Sequence, residues 1–255
     1  MSTPQDSVND EWMHVSRGRG KRASARPPIL NSFPAISKDL KIATIRKDHD
    51  RKLKAWRSST CRQTLQRVFK TLRPDAGWQV QNAICLAMGS LSRDNLECRR
   101  RSMWQMAVFV DIISLLEEDT QNTIEAALQD PAFTDLDRDF FRELGMSDLP
   151  LVLNTTRKPG LGPAQTQCGE NSFILELFMD METQGIRELV EADVEVYIGS
   201  SLQSRIDRAG TTHEQNKLAL AFERRYQMHR FPTFVEDPNI FEGLCIFTKK
   251  RDEDT

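Results

Sequence analysis

The stretch "ICLAMGSLSR", Ile84 to Arg93, decides how the rest of the chain is read. A short apolar run ends in Gly89-Ser90, and a long helix-like segment follows at Glu97–Glu118. A strand ended by glycine before a helix is the entry unit of an open α/β sheet, whose ligands sit beyond the carboxyl ends of the strands. Glycine there lets backbone N–H groups approach a phosphate or carboxylate, helped by the helix dipole. It serves equally well as a plain tight turn. The full GxGxxG fingerprint is missing, because Ala87 and Ser92 stand where its other glycines would fall if Gly89 were the second.

Outward from this stretch the elements alternate. Ala83–Gly89 reads as a buried strand and Glu97–Glu118 as a helix, apolar on nearly every side from Met103 to Leu116, which calls for burial. Thr123–Asp130 is a second strand. The segment Pro131–Gly145 is a helix, with Pro near its start and Gly past its end as punctuation. Leu149–Asn154 is a third strand, followed by a Pro- and Gly-containing loop. Ser172–Phe178 is a fourth strand, Glu182–Glu191 a helix, and Val194–Ser201 a fifth strand that again runs into Gly-Ser. His213–Met228 reads as helix and Gly243–Lys249 as a last strand.

Strands separated by helical crossovers imply an α/β fold, a Rossmann-like three-layer domain with a mainly parallel sheet over residues 78–250. The two glycine-ended runs are expected side by side, pointing the same way, with Gly89 and Gly199 at a common rim. Upstream, Asp39–Leu72 is helix-like, with Leu53, Trp56, Leu65, Val68, Phe69 and Leu72 as its apolar stripe, and Pro74 and Gly77 as its stop. Residues 38–77 thus form a basic helical segment packing on the body. Residues 1–37, rich in Ser, Pro, Gly and Arg, read as a disordered basic tail.

Charge is divided unevenly. Residues 1–75 carry 17 Lys/Arg against 7 Asp/Glu, and the remaining residues 18 against 30. The basic front suits nucleic acid, an acidic lipid surface, or the protein's own acidic body. Five scattered cysteines without metal spacing or a secretory signal point to a reducing cytoplasmic or nuclear compartment. The most membrane-like run, Ala107–Leu116, is about half the length needed to span a bilayer and contains Asp111, so no membrane span is expected.

Candidate ligand-binding residues are Gly89, Ser90, Gln105, Asp130, Gly199 and Ser200, all but Gln105 at expected strand ends. Asp130 resembles the carboxylate that holds a ribose, although it lies 41 residues after Gly89, against an ordinary interval of about 20. It equally suits a cap for the following helix. Gln105 and Asp111 lie in the apolar helix and need hydrogen-bond partners. For Asp111 these are the Arg99–Arg101 cluster or the front helix. Arg99, Arg100 and Arg101 are consecutive and cannot all face one way on a helix; they read as a solvated helix start, from which one could reach an anion near Ser90. His14, His49, His213 and His229 have no ligand spacing, so no metal site is expected. No nucleophile elbow, phosphate-loop lysine or zinc-helix motif occurs, and no catalytic residue or cofactor is identified.

The blocks "ICLAMGSLSR", "RRRSMWQMAVFVDII", "LQDPAFTDLDRDFFRELGM" and "VEVYIGSSLQ" together resemble the SRR-like domain family, named for a plant protein, sensitivity to red light reduced. The resemblance covers about Ala83 to Ser204, and "FEGLCIFTKK" is similar to the tail of fungal members. Two features depart from the family. Its usual Pro-His pair after the fourth strand is replaced by "LFMDME", and its Gly-Asn-Ser by Gly199-Ser200-Ser201. The resemblance implies a regulatory protein, linked to circadian and light signalling in plants and to control of haem biosynthesis and proliferation elsewhere, with protein partners and no established reaction. Two other readings stand beside it. One is a nucleotide-using or adenosylmethionine-dependent, methyltransferase-like enzyme. The other is a nucleic-acid-binding module working through residues 1–75.

Overall fold

The computed structural model describes residues 36–149, 160–179, 181–202 and 212–250. The expected tail lies outside these except for Ile36 and Ser37, as do the expected third strand beyond Leu149 and the loop that follows it, up to residue 159.

The front segment is two helices, not one: α1 (Ile42–Arg57) and α2 (Thr60–Leu72). The break comes from a serine pair. The Ser58 hydroxyl bonds back to the carbonyls of Lys54 and Ala55, and Ser59 turns extended and caps α2 by accepting from the Arg62 N–H. Beyond them come β1 (Asn82–Leu86), α3 (Leu96–Thr120), β2 (Glu125–Gln129), α4 (Asp135–Glu143), β3 (Ser147–Asp148), a 3₁₀ turn (Gly162–Thr166), β4 (Ser172–Glu176), α5 (Thr183–Ala192), β5 (Val196–Ser200), α6 (His213–Arg225), β6 (Tyr226–Arg230) and β7 (Leu244–Lys249).

The seven strands lie in the order β3-β2-β1-β4-β5-β7-β6. The first five run parallel, whereas β7 is antiparallel to both its neighbours. This is the doubly wound order with one reversed strand slotted before the last. The fold class read from the sequence is thus the one observed. Helices α1 to α4 share a core with one face of the sheet, through Trp56, Leu65, Phe109 and Phe140. The other face packs Ile186, Leu189 and Phe222 of α5 and α6.

Two expected boundaries shift. Helix α4 begins after Thr134, not at Pro131. Thr134 and Asp137 form a capping box, whereas Asp130 spends one oxygen on the Ala132 N–H and makes a turn before it. The expected helix His213–Met228 stops at Arg225, and Tyr226–Arg230 is strand. Tyr226 decides this: its ring stacks on Phe222 and its hydroxyl donates to the Val194 carbonyl, a contact with the sheet that outweighs helix propensity.

Helix α3 sits between sheet and front helices, and Asp111 fastens the two layers. Its fully buried carboxylate accepts from Trp56 Nε1 at 2.9 Å, Arg57 Nε at 2.8 Å and Arg62 Nε at 3.0 Å. Further pairs, Arg46–Glu143 and Arg73–Asp119, commit more of the front's positive charge to the acidic body. Among the described residues no helix is long and apolar enough to cross a membrane.

Candidate functional site

Strands β1 and β4 are register neighbours, and the chain leaves them in opposite directions, to α3 on one face and towards α5 on the other. The crevice expected to take ligands in a doubly wound sheet lies between such exits. Leaving β1, Ala87 and Gly89 are both left-handed, at φ 60° and 78°. A side chain at Gly89 would also run into Ser102 of α3, whose Oγ lies 2.8 Å from where its Cβ would stand. The glycine is required by the turn and by the close approach of the helix.

The loop's amides do not face open space. Gly89 N–H donates to Asp130 Oδ2 at 2.7 Å, and Leu91 N–H to Asp137 Oδ1 at 3.0 Å. Ser90 is fully buried. Its hydroxyl takes the Ser92 N–H and shares a proton with the Ser92 hydroxyl, which in turn meets Thr134. Two carboxylates and three hydroxyls therefore splice the β1 loop to the start of α4. Both Asp130 oxygens are engaged, one by Gly89 and one by Ala132. Burial raises the Asp130 carboxyl above its ordinary value, against the pull of those two N–H groups and of the Arg93 charge. Burial likewise pushes the Cys85 thiol far up, with Asp130 adding to it, so Cys85 is an inert core group.

What the rim offers is guanidinium. Arg93, the last residue of the opening stretch, brings Nη2 to 3.9 Å from the position a Gly89 Cβ would occupy. Its Nε is closed off from solvent and has no hydrogen-bond partner among the described residues. The same holds for Arg99 Nη1. Arg99 lies three residues before Ser102, hence on the face of α3 that meets Gly89 and one turn nearer the helix start. Of its neighbours, Arg100 is taken by Glu97 and Asp237, and Arg101 is exposed. Gln105 lies a turn deeper than Ser102 on the same face, and it is buried.

Gly199 and Ser200 belong to a different cluster. Strand β4 stands between β1 and β5, so the two glycines share a rim and a direction but are not neighbours. Their strands, β1 and β5, are two strand spacings, about 10 Å, apart. Around Gly199, buried Glu176 accepts from the Tyr197 hydroxyl at 3.0 Å, from Ser200 N–H at 3.3 Å, and from Met179 N–H. The candidates thus fall into two groups, Gly89 with Ser90, Gln105 and Asp130, and Gly199 with Ser200.

Sequence reading missed Arg93, Ser102, Glu176 and Tyr197. Only Tyr197 carried a signal, since a tyrosine two residues before a strand glycine lies on the same face and above it. A shallow depression of about 500 Å³ lined by Ser114, Glu117 and Gln121 lies at the far end of α3, away from the strand exits. Among the described residues no group of His, Cys, Asp and Glu could hold a metal ion. Comparison with curated proteins finds no match. The SRR1 domain model matches residues 61–248, from the start of α2 into the end of β7, and the chain belongs to the SRR1 domain family.

Proposed function

We propose that this chain is a regulatory protein of its family whose carboxyl rim binds a small oxyanion between Arg93 and Arg99, above Gly89. The observation that carries this is that Arg93, whose Nη2 lies beside left-handed Gly89, and Arg99, one helical turn before Ser102, each hold a buried nitrogen without a partner among the described residues. A buried donor without a partner costs about 1–3 kcal/mol, and an anion accepting from both would recover that. The setting implied by the resemblance is light and clock signalling or control of haem biosynthesis, through protein partners in cytoplasm or nucleus. The enzyme reading has less support, because Asp130, the carboxylate it would set on a ribose, already spends both oxygens on backbone N–H groups.

Thermal unfolding with inorganic phosphate or pyrophosphate, against sodium chloride at matched ionic strength, tests the reading. At about 100 times the dissociation constant the gain is about 2.7 kcal/mol, or roughly 5–10 °C for a protein of this size. The Arg99→Gln variant is expected to fold normally and to lose the shift. No shift in the unaltered protein, or an equal shift in the variant, overturns the proposal.

A further inference from the structure

The crevice has a second lip. Leu86 and Glu176 are register partners, and Leu177 N–H bonds the Leu86 carbonyl at 3.0 Å, so the two strands end side by side before the chain turns to opposite faces. On the β1 side the exit passes Ala87 and Gly89 towards the arginines. On the β4 side it passes Phe178, which is left-handed at φ 62° and 43% exposed. Either property is uncommon in a phenylalanine. A bulky residue with positive φ is a true outlier, and a large aromatic ring is ordinarily put to use in the core. Here the fold holds a strained backbone and leaves the residue partly exposed, at the topological position where ligands of such sheets are expected.

Cations on one lip and an aromatic ring on the other match a ligand with an anionic end and a flat end. We infer that the oxyanion of the rim is the phosphate of a mononucleotide, bound by Arg93 and Arg99, with its base stacked on Phe178. The inference rests on the oxyanion reading above and names the class of molecule that carries the anion. Inorganic phosphate fills half of such a site. Ribose 5-phosphate adds the sugar, and adenosine 5′-monophosphate adds the base. Stacking a base on an aromatic side chain tolerates any base, so the ring selects nucleotides as a class and not one among them.

Calorimetric titration of the full chain with those three compounds tests it. The mononucleotide is expected to bind roughly 10- to 100-fold more tightly than ribose 5-phosphate, the span of one stacked base. Phe178→Gly is expected to fold at least as stably, since glycine accepts positive φ without strain. It should bind ribose 5-phosphate unchanged and lose the preference for the mononucleotide. Arg99→Gln should lose all three ligands. Equal affinity for mononucleotide and ribose 5-phosphate, or a preference that survives Phe178→Gly, overturns the nucleotide inference and leaves the oxyanion reading intact. Failure of phosphate and pyrophosphate alike to shift unfolding is the separate result that removes the oxyanion reading.

Discussion

Gly89 and Gly199 look alike in sequence, each ending an apolar strand and followed by serine, yet they are glycines for different reasons. Gly89 sits at φ 78° in a turn, pressed by Ser102 of a crossing helix. Gly199 lies within the regular pairing of β5, opposite Cys245 of β7, and has no positive φ. What it lacks is room. Tyr197, two residues earlier on the same face, lays its ring over Gly199 to reach Glu176, so the ring and the carboxylate fill the place of a Cβ. One glycine serves the backbone and the other serves a neighbour's side chain. A Gly-Ser at a strand end therefore says that something passes close by, without saying whether that is a helix, a ring or a ligand.

The largest effect should come from Gly199→Ala. Tyr197 and Glu176 are both fully buried, so neither can swing into solvent to admit a methyl group. Overpacking costs about 1–3 kcal/mol, and disturbing the bond to a buried carboxylate costs a similar amount. We expect a loss of about 3 kcal/mol in urea unfolding. Adding Tyr197→Phe should make the two changes strongly non-additive, because the hydroxyl is one of the atoms the methyl meets. Simple additivity would break the contrast between the two glycines.

Gly89→Ala comes next, at about 2 kcal/mol. Positive φ costs an alanine about 1–2 kcal/mol, and the Ser102 hydroxyl adds a contact that a rotamer change can ease. Removing that hydroxyl with Ser102→Ala should recover only the smaller, steric part. Full recovery would mean that the turn tolerates a side chain and that φ is not the limiting cost.

The order of these elements could be read from periodicity and punctuation, because strand and crossover lengths are local properties of the chain. Strand β1, helix α3 and strands β2, β4 and β5 fall within a few residues of where the apolar runs put them. What could not be read is set by contacts between distant residues. Tyr226 leaves its helix for a stack on Phe222 and a bond to Val194. Asp111 chooses Arg57 and Arg62 over the nearer Arg99–Arg101. The rim shows the same limit. Gly89 and Asp130 were both visible as strand-end residues, but their bond to each other joins positions 41 apart. Arg93 gave no signal, since an isolated arginine after a serine is ordinary surface until its surroundings close over it.

Asp130→Asn sharpens the comparison on the Gly89 side, with the smallest effect. The carboxylate accepts from two N–H groups, Gly89 on one oxygen and Ala132 on the other. An asparagine can accept only one of them and turns its own NH₂ against the second, which costs about 1–3 kcal/mol. Removing a buried charge offsets part of that, leaving a net loss of about 1 kcal/mol near neutral pH. The pH dependence separates the two contributions. Because burial raises the carboxyl in the folded protein, the folded state binds that proton more tightly than the unfolded chain does. Its stabilising share is complete below the ordinary carboxylate value near 3.9 and is lost as pH rises through the raised value. The unaltered protein should thus exceed the asparagine variant by most in acid, and the gap should narrow as pH rises from about 4 through the raised value. Urea unfolding of both proteins across that range measures the gap. A gap that widens towards neutrality would mean that the two N–H bonds and Arg93 outweigh burial, making the Gly89 turn a true anion cradle with Asp130 as its resident anion.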